Sequence, residues 1–279
     1  MRYKIVVDSC CELPEEYLND PRFERVPLTL EVGDYCILDD ESFQQKDFLK
    51  KVADCPTCPK SACPSPEAFL KAFEAGADHI YCVTLSSHLS GSYNSAVLAK
   101  SLYIEKHGDS PIHICDSESA SIGETQIAMK LMELEEQGTL SFEEITEQID
   151  AFRSAMNTYF ILDNLETLRK NGRLSQVKAA LATTLNIKPV MGAIKGVIVQ
   201  KAQTIGMKKA MNKMADLLIS EGQNLEQKIL FISHCNCPER ALQFQKILLA
   251  RCKVKAVKIL NTAGVSSMYA NDGGFIVAI

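Results

Sequence analysis

Residues 83–96 read VTLSSHLSGSYNSA, an apolar strand tip that runs into five serines, one histidine and one glycine before the pattern turns helical. Hydroxyls at that density can cap a helix, donate to an anion or supply a nucleophile. Serine favours turns and caps, so one or two of Ser86, Ser87, Ser90, Ser92 and Ser95 need no further explanation. Five exceed what one cap uses. Gly91 lets the backbone come close to a ligand, and the helix that follows points its unpaired N–H groups back at the loop, an arrangement suited to an anion. A nucleotide phosphate loop is excluded, because no Gly-Lys-Ser/Thr follows. Nucleophilic use has less support. With Ser90 centred, His88 occupies the first glycine position of a G-x-S-x-G elbow, and a base two residues away on the same loop rarely lines up with a serine Oγ. His234, in the other half of the chain, could reach across a cleft.

A second hydroxyl-bearing stretch is KSACPSPEAF, residues 60–69. Ser65 reads as an N-cap with Pro66 at the first helical position. Ser61 is harder to explain that way, because Pro64 and Pro66 place the helix start later. Eleven cysteines, an odd set that includes the adjacent Cys10 and Cys11, fit a reducing compartment and small buried apolar residues better than a disulfide scaffold. Cys55, Cys58 and Cys63, or His234, Cys235 and Cys237, could ligate zinc, but each set is one ligand short and the two lie far apart in the chain. No metal and no cofactor are expected.

A net charge of −5 and the absence of tryptophan argue against nucleic acid as a partner. The N-terminus MRYKIVVDSCCELPEEY lacks the apolar core and cleavage site of a signal peptide, and no stretch approaches the roughly 20 apolar residues of a membrane span. The expectation is a cytoplasmic protein with at most transient membrane contact.

The elements that must position these residues come in alternation. YKIVVDS (Tyr3–Ser9) is a buried strand ending in Asp and Ser. Phe69, Leu70 and Phe73 make the stripe of a helix that Gly76 ends, and a strand follows over His79–Leu85. Tyr93, Val97, Leu98 and Leu102 share a face of the next helix, Gly108 stops it, and the strand IHICDS finishes in Asp116 and Ser117. Strand–helix alternation at this spacing predicts an α/β fold, a parallel sheet with helices on both faces, and its ligand beyond the carboxyl ends of the strands. The hydroxyl-rich tips then share one edge. The second half differs: DNLETLRKNGRLSQVKAALATTLN reads as two helices broken at Asn171 and Gly172, and IKPVMGAIKGVIVQKA as a β-hairpin turning at Lys195 and Gly196. Alternating helices and strands complete an α+β unit. The boundary is placed after the helix FEEITEQIDAFR, giving a Rossmann-like domain over 1–152, a second domain over 153–279, and a ligand cleft between them.

The ordered segments VVDSCCELP, VPLTL, KSACPSPEAF, LSSHLSGSYNSA, DSESASIG, LRKNGRLS and IKPVMGAIKGVI resemble the DegV family of bacterial fatty-acid-binding proteins over nearly the whole chain. LSGSYNSA and NGRLS with IKPV are the specific parts. The resemblance implies two α/β domains with a long-chain fatty acid buried between them, no catalysis, and in some members delivery of the acid to a fatty acid kinase. It implies that hydroxyls of two loops hold the carboxylate. Ser61 stands at the first loop, Ser90 and Gly91 match the second, and Ser92 keeps the hydroxyl where threonine is common. Neutral O–H and N–H donors can satisfy a buried carboxylate through charge-assisted bonds.

Two departures affect what carries over. Kinase-coupled members generally have an arginine where this chain has Gln203, and the C-terminal H-x-G-P-G of some members is replaced by SMYANDGGF, so Tyr269 or Asn271 would stand in for the histidine near the carboxylate. Arg173 has a plain reading as a solvated or ion-paired side chain after a Gly172 C-cap, and the resemblance implies a role in docking a partner. A serine-dependent hydrolase or a phosphotransferase-related enzyme remains the competing class.

Overall fold

A computed structural model of the chain describes residues 2–74, 76–174 and 186–279. In chain order the first half contains β1 (Tyr3–Asp8), β2 (Phe23–Val26), β3 (Thr29–Val32), β4 (Tyr35–Leu38), α1 (Gln45–Asp54), β5 (Lys60–Ala62), α2 (Pro66–Phe73), β6 (His79–Thr84), α3 (Ser92–His107), β7 (Ile112–Asp116), α4 (Ile122–Gln137) and α5 (Phe142–Ala155). The rest contains β8 (Thr158–Ile161), α6 (Glu166–Lys170), β9 (Ile187–Ile194), β10 (Val197–Ile205), α7 (Met207–Glu221), β11 (Ile229–His234), α8 (Pro238–Leu249), β12 (Ala256–Asn261), α9 (Gly264–Ala270) and β13 (Phe275–Ala278).

Strands β2-β1-β6-β7 form a wholly parallel sheet. The near-continuous apolar runs of β1 and β6 suit strands buried on both faces, and β6 is buried at every position. With β1, β6 and β7 side by side and parallel, the tips carrying Asp8–Ser9, Ser86–Ser92 and Asp116–Ser117 share one edge, as the sequence predicts. Strands β10-β9-β8-β13-β11-β12 form the second sheet, antiparallel except for the pair β11–β12. Its β9–β10 hairpin turns at Lys195 and Gly196, whose φ values of 48° and 76° are the left-handed pair a two-residue turn needs.

Helix α4 lies between the sheets. Ile127, Leu131 and Leu134 pack with Ile5, Val7, Tyr81 and Val83 of the first sheet, and Ile122 packs with Met191, Phe231 and Ile276 of the second. The helix is therefore apolar on more than one side, and nine of its residues are buried.

Helix α2 starts as read: Ser65 Oγ accepts from Ala68 N at 3.3 Å. Helix α3 does not bury the face the sequence suggests. Its buried residues are Ser92, Ala96 and Ala99, while Val97 and Leu98 are 39 % and 50 % exposed. Small alanines let α3 approach α2 and the sheet closely, and Val97 and Leu98 are left outside. A three-stranded antiparallel sheet β4-β3-β5 is an addition the sequence did not announce, since its strands are three or four residues long. Ser61 sits on β5, paired with Leu30. Of the two helices read around Asn171, the first is the short α6, and the second lies outside the described residues.

Candidate functional site

Beyond the shared edge of the parallel sheet is a cavity of about 830 Å³, counting its mouth. Its wall draws on both halves of the chain: Leu28, Leu85 and Leu89 from the first, and Phe160, Leu168, Ile198, Val265 and Ile276 from the second. Transfer of an apolar chain into such a wall is favourable by roughly 0.8 kcal/mol per methylene.

One set of the cavity's polar groups is in mutual contact. Ser61 Oγ lies 3.1 Å from Tyr269 Oη, and the Arg173 guanidinium sits over the Tyr269 ring at 5.7 Å from its centroid. Arg173 Nε donates to the carbonyl of Leu89 at 3.1 Å and Nη1 to that of Asn171 at 2.6 Å. Leu89 precedes Ser90, so one chain of contacts runs from the serine loop through Arg173 and Tyr269 to Ser61, and all four line the cavity. Burial raises the Tyr269 hydroxyl pKa, so the group stays a neutral donor at physiological pH.

Ser90 has two duties. Its Oγ accepts from Ser92 N at 3.2 Å, satisfying one free N–H at the start of α3, and lies 3.1 Å from Ser92 Oγ. Gly91, Ser92 and Asn271 do not line the cavity. A Cβ on Gly91 would stand 2.9 Å from Cys63 Sγ, so the glycine serves a close approach within the protein. Ser92 is fully buried and its hydroxyl lies against that of Ser90. Asn271 donates to the Tyr269 carbonyl at 3.2 Å and borders a separate groove with Leu49 and Asn236. Of the two C-terminal stand-ins the sequence offered, Tyr269 is the one at the cavity. Neither His88 nor His234 lines it; His234 Nδ1 accepts from Cys237 N at 3.4 Å.

Several wall residues escaped the sequence reading. Arg173 was assigned outward, toward a partner, and is in the wall. Ser119 and Thr158 hydroxyls meet at 2.7 Å in the same wall. Ser121, at a φ of 60° that L residues seldom adopt, bonds Glu12 at 2.8 Å and Ser233 at 2.8 Å. Behind these is a set of buried acids. Asp8 accepts from Leu85 N at 2.9 Å and Cys10 N at 3.0 Å, and burial pushes its pKa up to about 6. Burial pushes Glu12 to about 7 and Glu124 well above the usual carboxylate range. Asp8, Cys10 and Glu124 present ligand atoms within 4.8 Å of one another. Glu124 Oε1 accepts from Ser121 N while Oε2 has no other partner among the described residues, so a proton on Glu124 shared with Asp8 satisfies both carboxyls. Cys55, Cys58 and Cys63 are free thiols and form no metal-capable cluster among the described residues.

The profile described as "Uncharacterised protein, DegV family" matches residues 2–279. The chain belongs to the DegV family. A DegV domain-containing protein of Streptococcus gordonii is 36% identical over 284 residues, covering 99% of this chain and 98% of that protein. Two solved DegV-type structures are similar throughout. The Ruminococcus gnavus DegV family protein, described with vaccenic acid, has a TM-score of 0.96 and 48% identity, covering 99% of each chain. The Streptococcus pneumoniae Fatty Acid Kinase (Fak) B3 protein, loaded with linoleic acid, has a TM-score of 0.90 and 35% identity, covering 100% of this chain and 99% of that one. No described helix of this DegV chain is long and apolar enough to cross a membrane.

Proposed function

We propose that this DegV protein is a carrier that binds one long-chain fatty acid between its two halves, residues 1–152 and 153–279. The carboxylate lies at the Ser61, Ser90, Tyr269 and Arg173 end, and the acyl chain fills the apolar cavity. The observation that carries this reading is the make-up of the cavity: leucine, isoleucine and phenylalanine over much of its wall, with one cation and two hydroxyls in mutual contact. A chain of about 14–16 methylenes gains roughly 11–13 kcal/mol from burial before ordering costs. The fatty acids carried by the R. gnavus and S. pneumoniae relatives support the same ligand class. Binding needs no general base, and the serines are engaged as donors and caps.

Ser61 tests the headgroup assignment. Ser61→Ala should weaken an ionised fatty acid by about 1–3 kcal/mol and its methyl ester by less, with the thermal melt unchanged. Equal losses for acid and ester in competition binding would remove Ser61 from the carboxylate site.

A further inference from the structure

A second cleft, of about 1120 Å³ counting its mouth, opens between the outer face of α4, the end of α5 and the starting ends of β11 and β12. Its wall is amphipathic. Met129 and Met132 of α4, Phe152 of α5, and Ile229 and Phe231 of β11 supply apolar surface, and four lysines border it. Much of the charge there is already matched. Lys130 pairs with Glu133 at 3.1 Å, Lys258 with Glu16 at 3.4 Å, and Glu136 with Arg22.

Lys228 and Lys255 form no ion pair among the described residues, and they are neighbours across the strand starts, with Lys255 N donating to the Lys228 carbonyl at 2.8 Å. Lys228 Nζ has one long hydrogen bond, to the carbonyl of Ala155 at 3.4 Å. Burial lowers its amine pKa, as expected for a part-desolvated ammonium without a counter-charge. A contact with the end of α5 accounts for part of Lys228's placement. It does not account for Lys255, or for two unmatched cations beside apolar surface in a chain of net charge −5.

We propose that this cleft is a second ligand site, separate from the cavity, for a single-headed anionic amphiphile: an alkyl or aryl body on the Met129, Met132, Phe152 surface and a phosphate or carboxylate at Lys228 and Lys255. Lys228 and Lys255 are backbone neighbours at the starts of β11 and β12, so the unmatched cations come from one place in the wall, which suits one charged head. An acidic protein helix would need them spread along its length.

The probe is dodecyl phosphate, titrated below its micelle concentration into protein whose cavity is filled with oleate. It should bind at one saturable site, with dodecyl maltoside weaker by at least about tenfold. A dodecanoate titration tells whether a carboxylate head suffices. Lys228→Gln combined with Lys255→Gln should weaken dodecyl phosphate by about tenfold or more, and the single exposed change Lys255→Glu by several-fold, while oleate occupancy measured by mass spectrometry stays the same. Ser61→Ala should leave this binding untouched. The second site is overturned by a lack of saturable binding, by binding that survives the lysine changes, or by binding that displaces oleate. Lys228-dependent capture of an acidic helical peptide, with dodecyl phosphate inert, would overturn the amphiphile in favour of a protein partner.

Discussion

In the proposed carrier, Arg173 changes the chemistry of the carboxylate end. With hydroxyl and amide donors alone, an anion keeps its full charge in an apolar wall; a guanidinium held over Tyr269 by the Leu89 and Asn171 carbonyls offers a fixed counter-charge. Arg173→Gln should therefore weaken long-chain acids by more than tenfold, about 1.4 kcal/mol or more, while fatty alcohols of the same length lose little. Arg173→Lys should recover only part, since an ammonium cannot stack flat on the ring. Equilibrium binding without any partner present is the measurement, and unchanged affinity in Arg173→Gln would return this residue to partner docking alone. Its place in the cavity wall was hidden in the sequence because the NGRLS context fits a solvated arginine after a helix cap equally well. The place of Ser61 in that wall was readable for the opposite reason: two prolines made the capping explanation fail there.

Among the elements, the hairpin at Lys195–Gly196 and the strands ending in Asp and Ser were readable because two left-handed residues and a terminal polar pair each leave a local mark. The face of α3 was not, because alanine packing is decided by the neighbouring helix. Strands β3, β4 and β5 are too short to show a period. The buried acids around α4 likewise gave no signal beyond Asp8 interrupting an apolar run, yet they make the element sensitive to pH. Asp8, Glu12 and Glu124 have raised pKa values in the folded chain, so folding holds their protons; that stability is complete below about pH 4 and is lost as pH rises through about 6 to 7 and beyond. His113 and His234, both lowered by burial, act in the opposite direction, but only below their unfolded value of 6.5. The melting temperature should therefore fall between about pH 6.5 and 8, where Glu12 still contributes on the order of 1 kcal/mol and the more strongly raised Glu124 continues the loss. Glu124→Gln keeps the Ser121 N–H acceptor and donates to Asp8 without a titrating proton, so it should flatten this slope and raise the melting temperature at the alkaline end. A melt that is flat or rising over that window in the parent protein would mean the carboxyls are ionised and solvated.

For the whole molecule, the cavity is assembled from the edge of one sheet and the face of another, which explains why sequence could name its hydroxyls but not its walls: Phe160, Ile198 and Ile276 are ordinary strand residues until the sheets meet. Partner use is a separate matter. Gln203 is exposed on β10, where it accepts from Gln200 Nε2 at 3.1 Å, and Arg173 is engaged in the cavity wall. A kinase surface would thus meet fewer free cations here than an arginine at position 203 would give it. Turnover by a generic fatty acid kinase should be poor, and Gln203→Arg should restore part of it with little change in lipid affinity; efficient acyl-phosphate formation by the parent chain would contradict this. The most direct measurement is organic extraction of the protein purified from a bacterial host, followed by mass spectrometry of the released lipid. It should yield close to one long-chain fatty acid per chain, since an apolar cavity bordered by Arg173 and Ser61 is costly to leave empty. Protein that releases no fatty acid and fails to take up added palmitate or oleate would contradict the carrier assignment.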